Sequence, residues 1–259
     1  MTIQLRQICL VAGELEPVIQ DLTAILGIYR CYIDQGVGTF GLENTLMPIG
    51  YNFLEVVAPI EENTAGGRYL TRRGGDGGYM VITQADSAAT QQQVRQNALD
   101  EGVRVAHEAQ RGDWNLCQLH PGDLKAAFLE IESDAHNDFT GNWHPVNGTG
   151  WEHKVCQDVT VDFTAVELQS PDPVDLAALW GRVTGLPVSR DGSEMRIELN
   201  NVALRFVEAQ DGRGPGLSGL DIVVADREHI LREAKQRNCY VSDDQVDICG
   251  VHWYLHDAG

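Results

Sequence analysis

Apolar residues recur along this chain with two periods. In LRQICLVAGELEPVIQDLTAILGI, starting at Leu5, a short alternating run turns into Leu15, Val18, Ile19, Leu22, Ile25 and Leu26, spaced by three and four. That pattern predicts a strand and then an amphipathic helix, closed at Gly27, where a left-handed residue costs least. DFTAVELQSPDPVDLAALWGRVTGLP, from Asp162, repeats the layout, with Leu176, Leu179, Trp180 and Val183 on its helix and Gly185 at the end, ahead of Pro187. Two further copies begin at Gly77 and Gly216 and close their helices at Gly102 and Asn238. Each helix is followed by about three short strand-like runs split by turn residues, such as GTFGLEN, TLMPIG and YNFLEVV. The unit of strand, helix and three strands therefore occurs four times. DAHNDFTGNWHPVNGTGWEHK, Asp134 to Lys154, has neither period and reads as a linker. The expected division is a first domain over 1–135, a linker over 136–154 and a second domain over 155–259.

Two strands break their own pattern. FLEVVAP, Phe53 to Pro59, and AFLEIES, Ala127 to Ser133, each place a glutamate where a buried strand asks for valine. A buried carboxylate without a partner is costly, so Glu55 and Glu130 point to a cation, a proton or solvent. Alternation groups Leu5, Gln7, Cys9 and Val11 on one face, Phe53, Glu55 and Val57 on another, and Phe128, Glu130 and Glu132 on a third. Tyr79, Val81 and Thr83 share a face by the same rule. Such mixed polar and aromatic faces suit the lining of a small-molecule cavity. A solvated sheet face is the alternative, and Glu132 reads as a solvent-facing neighbour of Glu130.

Composition narrows the partners. At 259 residues with 43% hydrophobic content the chain can bury a sizeable core. A net charge of -19 repels nucleic acid and anionic membrane surfaces, and no run of about 18 apolar residues offers a span. A cytoplasmic protein without nucleic-acid or membrane partners is the expectation. The six cysteines form no C-x-x-C pair and suit reduced thiols. RRGGDGG, Arg72 to Gly78, is glycine-rich but leads into a strand, so it is not a phosphate loop and no nucleotide cofactor is expected.

The fourfold strand-helix-three-strand layout resembles the vicinal-oxygen-chelate superfamily of glyoxalases, bleomycin-resistance proteins and extradiol dioxygenases. The resemblance covers nearly the whole chain and implies an α+β fold. Its four βαβββ units would be paired into two half-open mixed β-barrel domains with flanking helices. In that superfamily metal ligands come from the first and last strands of paired units. Those positions fall here on Gln7 and Glu55, and on Tyr79 and Glu130, separated by 72 and 75 residues. HPGDLKAAFLE, His120 to Glu130, also resembles the ending of methylmalonyl-CoA epimerases.

The resemblance implies a divalent metal (Zn, Ni, Mn, Fe or Mg) on Gln7, Glu55 and Glu130. Glu55, Glu130, Tyr79 and His120 would be catalytic. Relatives place histidine where this chain has Tyr79, which puts the metal in doubt. The implied function is a lyase or isomerase acting by proton abstraction next to a carbonyl of a small oxygen-rich molecule. An extradiol-type dioxygenase and a non-catalytic drug-binding protein are the rivals. The second domain looks degenerate, the linker histidines His136, His144 and His153, alternating with Trp143 and Trp151, read as packing over the domain seam and not as ligands, and a homodimer stays open.

Overall fold

The computed structural model describes residues 1–258. The first repeat runs β1 (Ile3–Val11), α1 (Leu15–Leu26), β2 (Leu42–Ile49) and β3 (Asn52–Pro59), followed by a helix α2 (Ala65–Arg73). The second runs β4 (Gly77–Ala85), α3 (Ala88–Asp100), β5 (Val105–Arg111), β6 (Trp114–Leu119), a single turn α4 (Pro121–Leu124) and β7 (Phe128–Ser133). The third is β8 (Thr160–Ser170), α5 (Pro173–Thr184), β9 (Val188–Asp191), β10 (Glu194–Glu198) and β11 (Ala203–Glu208). The fourth is β12 (Gly216–Val224), α6 (Arg227–Arg237), β13 (Tyr240–Ser242), β14 (Gln245–Ile248) and β15 (Val251–Asp257).

The expected α+β class and fourfold repeat are both present. The first repeat departs in one respect. The run GTFGLEN is not a strand of its own: Gln35–Phe40 forms a 3-10 turn, and Tyr32 makes an isolated bridge to Leu46 instead. Helix α2 was not expected, because its own glycines and the glycine-rich RRGGDGG that overlaps its end carry no helical pattern. Thr64 caps it, accepting from the Gly67 N–H at 3.0 Å, and Gly74 ends it at φ +74°.

By contact density the chain divides into two compact units. One is Met1–Gln7, Tyr79–Phe139 and Ala165–Leu217; the other is Ile8–Gly78, Thr140–Thr164 and Ser218–Gly259. The sequential division at 135 and 155 is thus not the division by contact. The first unit holds two open four-stranded arrays, β4-β7-β6-β5 and β8-β11-β10-β9, in which only the β4/β7 and β8/β11 pairs are parallel. Here α3 packs on α5, with Asn97 donating to the Val183 carbonyl at 3.2 Å and Arg182 paired to Glu101 at 2.8 Å. In the second unit β3 lies between β1 and β2, and the fourth repeat is ordered β12-β15-β14-β13. There α1 meets α6 through His229 on the Ala24 carbonyl and Arg237 on Asp21, both at 2.8 Å. These arrays are open and do not close into barrels, in keeping with the half-open arrangement that the resemblance implies. Among the described residues no helix is long and apolar enough to cross a membrane.

Each sheet splits its two faces in the same way. Leu54, Val56, Leu129 and Ile131 are buried apolar residues, and helix α3 docks on the second pair through Gln91, which donates to the Ile131 carbonyl at 3.1 Å and accepts from Ser133. The alternate positions carry Glu55, Glu130 and Glu132.

Helix ends are set by backbone chemistry. Gly27, Gly185 and Asn238 hold φ of +66°, +71° and +59°, as the C-terminal cap requires. A Cβ on Gly27 would lie 2.8 Å from Val159, whereas one on Gly102, at φ +74°, would meet nothing within 4 Å. Gly102→Ala should therefore cost only the left-handed penalty, about 1–2 kcal/mol. Gly27→Ala should cost about 1–3 kcal/mol more through overpacking. Urea unfolding of the two variants measures the difference, and equal losses would show that Val159 yields freely.

Candidate functional site

In the second unit Glu55 sits in β3, opposite Leu46 of β2 and only 7% exposed. Its diagonal neighbour Asn44 donates from Nδ2 to Glu55 Oε1 at 2.6 Å. The Asn44 amide is oriented from its other end, where Oδ1 accepts the backbone N–H of Asp34 at 3.0 Å. Asp34 in turn caps the 3-10 turn by accepting the Gly36 N–H. The carboxylate is thus tied through one amide to the loop that precedes β2.

The first unit repeats the arrangement around Glu130, which is 4% exposed. Gln118 lies directly across in β6 and donates from Nε2 to Glu130 Oε2 at 2.6 Å. Glu132, two residues on, shares that face and is 1% exposed, accepting the indole N–H of Trp114 on Oε2 at 2.6 Å. The solvent-facing reading of Glu132 is therefore corrected: Trp114 covers it. Arg6 and Gln84 complete the cluster, Arg6 Nη1 donating to Gln84 Oε1 at 2.7 Å and to the Asp138 carbonyl at 2.8 Å.

The electrostatics follow from burial. Desolvation pushes the Glu130 carboxyl above its usual range, and a hydrogen bond from Glu132 opposes that rise. Glu132 is pushed well above its usual range by desolvation first and by the charge of Glu130 second. Burial thus favours the protonated form in both carboxyls, the more so in Glu132, whose Oε1 is buried without another donor. Burial also holds the Arg6 guanidinium down to about 10, against the pull of Glu132, Asp138 and Asp134.

The other expected residues are placed differently. Parallel partners point to the same side, and the β4/β7 register pairs Met80 with Phe128, Ile82 with Glu130 and Gln84 with Glu132. Tyr79, Val81 and Thr83 alternate away, so Tyr79 does not share the face of Glu130 as expected. The cause is a one-residue slip in matching the repeats. The residues that precede α1 and α3 are Glu14 and Ser87, 73 apart, which makes Met80 the counterpart of Gln7. Tyr79 meets the Phe128 ring edge-on at 5.0 Å, and the His120 ring lies 6.5 Å from the same ring. His120 is the cap of α4, its Nδ1 accepting the Gly122 N–H at 3.1 Å. Gln7 is buried in β1 and belongs to the first unit with Glu130, whereas Glu55 belongs to the second.

The donors around each glutamate do not fit a divalent ion. Asn44 must present its NH₂ to Glu55, because its oxygen is spent on Asp34. At Glu130 and Glu132 an amide, an indole and the nearby guanidinium of Arg6 all present N–H groups or positive charge. Among the described residues no three His, Cys, Asp or Glu side chains are grouped to hold a metal. Asn44, Gln118, Trp114 and Arg6 were not singled out from the sequence. The readable signal was an amide 11 or 12 positions before each glutamate, on the facing strand of a hairpin.

A carboxyl that binds its proton more tightly when folded weakens the fold as pH rises. For Glu132 the loss begins near its ordinary value of 4.5 and grows until the folded-state titration is complete. Glu132→Gln keeps the shape and removes that slope. The variant should be more stable than the wild type at pH 8, and the gap should close below about pH 4.5. Thermal unfolding across pH measures this, and parallel curves would refute the buried shared proton.

Comparison with known proteins agrees with this architecture. A variant of 4-hydroxymandelate synthase from Streptomyces coelicolor superposes with a TM-score of 0.67 at 13% identity, over 92% of this chain and 76% of that one. A hypothetical protein from Staphylococcus aureus gives 0.66 at 13% identity over the whole of both chains. The Mn(II)-bound glyoxalase from Novosphingobium aromaticivorans gives 0.65 at 12% identity, over 98% of this chain and 81% of that one. At such identities the likeness is of fold alone, the vicinal-oxygen-chelate fold. No curated protein sequence matches this one. The glyoxalase-like domain family matches residues 8–184, more than half of the sequence, and the chain belongs to that family.

Proposed function

We propose that this chain is a small-molecule enzyme of the glyoxalase-like type, a lyase or isomerase that moves a proton on carbon next to a carbonyl. The observation that supports the reading is the duplicated couple of a buried glutamate and a carboxamide at 2.6 Å, Asn44 with Glu55 and Gln118 with Glu130. The device occurs in two repeats, diagonal across the hairpin at Glu55 and directly across it at Glu130, which a purely structural carboxylate does not require. A base does, because proton abstraction requires one carboxylate orientation held before the substrate arrives.

The step is a transfer from carbon to a glutamate oxygen. The electron pair of the C–H bond moves toward the carbonyl and leaves an enolate whose oxygen carries the charge. Return of the proton at a second position or face completes an isomerisation, and expulsion of a group from the next carbon completes a lyase reaction. At Glu130 burial raises the carboxylate's affinity for a proton, which favours abstraction once it is ionised. Glu132 supplies the acid form beside it. Since the donors present do not fit a metal, no step passes through one.

Incubation with a panel of small 2-hydroxy and 2-keto carbonyl compounds in D₂O, followed by proton NMR, reads the activity directly. Loss of the signal of a carbon-bound hydrogen next to the carbonyl is the expected result. Glu55→Gln and Glu130→Gln should each slow the exchange of their own site about 10²- to 10⁴-fold while leaving the thermal midpoint within a few degrees. Saturable binding with no exchange for any compound would replace the enzyme by a ligand-sequestering protein. Asn44→Ala should lower the rate at Glu55 about tenfold or more through misorientation. An unchanged rate in Asn44→Ala would reduce the couple to packing.

A further inference from the structure

Trp151 lies in the second unit, with Glu55. It is 3% exposed and opens a one-turn helix, its carbonyl accepting the Lys154 N–H at 2.8 Å. Just before it, Gly150 at φ +95° donates its N–H to Glu152 at 2.7 Å, which fixes the entry to the turn. The indole meets the Phe53 ring edge-on, with centroids 4.8 Å apart and planes at 72°. Phe53 is two residues before Glu55 in β3 and on the same face, a step of about 7 Å along the strand. The segment also lies within electrostatic reach of the chain next to that hairpin, where burial is the main influence on the Cys31 thiol. The charge of Lys154 acts on the Cys31 thiol, and the Cys31 N–H donates to the carbonyl of Leu46, the residue paired with Glu55.

The indole N–H of Trp151 is buried and has no acceptor. Other indoles of the protein are provided for. Trp114 donates to Glu132, Trp180 to the Leu124 carbonyl at 3.1 Å and Trp253 to the Ile248 carbonyl at 3.3 Å. A buried N–H without a partner is costly, and native proteins keep few of them. The ring of Phe53 is at best a weak acceptor.

We propose that Trp151 is a substrate-binding residue of the Glu55 site, its indole N–H donating to the carbonyl oxygen of a bound molecule whose acidic carbon faces Glu55. The assignment rests on the reading of Glu55 as a base and extends it to the substrate. A donor at the carbonyl oxygen is most useful when that oxygen becomes an enolate, so its contribution grows as the proton leaves carbon. The aromatic rings of Trp151 and Phe53, with planes at 72°, add an apolar corner against which a flat group can rest on either ring. The substrate class is a small carbonyl compound with a planar, apolar flank, compact enough to present its oxygen to the indole and its carbon to the carboxylate.

The test uses benzohydroxamate, a planar enediolate-like probe, titrated into the ¹⁵N-labelled full chain. The indole resonance lost in Trp151→Phe identifies Trp151. Binding should shift that resonance saturably, and Trp151→Phe, which keeps a ring against Phe53, should weaken the probe about 3- to 10-fold. Glu55→Gln separates the two readings. The probe should still shift the Trp151 resonance in that variant, while hydrogen exchange on carbon is lost. If Glu55→Gln keeps full exchange, the base assignment fails and the Trp151 shift alone sustains the donor. An unmoved Trp151 resonance at saturating probe, or no saturable binding, overturns the proposal. If Trp151→Phe does not fold, triple-resonance assignment of the indole signal identifies Trp151, and the wild-type titration decides.

Discussion

The structure turns on what a carboxylate demands when a β-sheet takes it out of water. In each of the first two repeats one sheet face is closed by apolar side chains, and the other presents a glutamate with less than a tenth of its surface exposed. Such a group is tolerable only if its neighbours donate hydrogen bonds to it or leave it a proton. Asn44 and Gln118 answer the first demand, and the raised proton affinity of the Glu130–Glu132 pair answers the second. The amide on each facing strand, the indole of Trp114 and the burial of Arg6 are consequences of that constraint.

Much of the scaffold was legible in the chain because its signals are local. The three-and-four spacing of α1 and α5, and the left-handed caps at Gly27, Gly185 and Asn238, depend on residues within a few positions of each other. The resemblance carried the rest of the fold class. Helix α2 was lost because Gly66 and Gly67 dilute its pattern, while Thr64 and Tyr69 supply the cap and the buried face that propensity alone does not reveal. The site was less legible. Alternation placed Glu130 and Glu132 on one face but could not say what covers that face, and a tryptophan 18 residues away supplies the cover. Tyr79 was misplaced by a single residue, the smallest error a strand permits and the one that changes every face.

The two repeats also show how one device diverges. Glu55 has Phe53 and Val57 on its face and an asparagine that ties it to a neighbouring loop. Glu130 has a second buried glutamate beside it, whose carboxyl is raised further than its own. The first arrangement holds one carboxylate by one amide, whereas the second sets two carboxyls side by side. Fold likeness to a synthase and a glyoxalase does not choose between these chemistries, since it extends only to the backbone.

The segment between the second and third repeats gains a physical role from the same constraint. Its turn residues and glycines leave it without a period, yet Trp151 is among the buried aromatic residues and packs edge-on against Phe53. Asn52 donates to Asp162 at 2.7 Å, so the returning chain is also pinned at the end of the β2-β3 hairpin. A segment from outside the repeat thus packs on the residue two before the carboxylate, on the same face. It also delivers an indole N–H that the repeat itself does not encode. A tandem repeat supplies matched glutamates, and what distinguishes one site from the other must then come from segments that are not repeated.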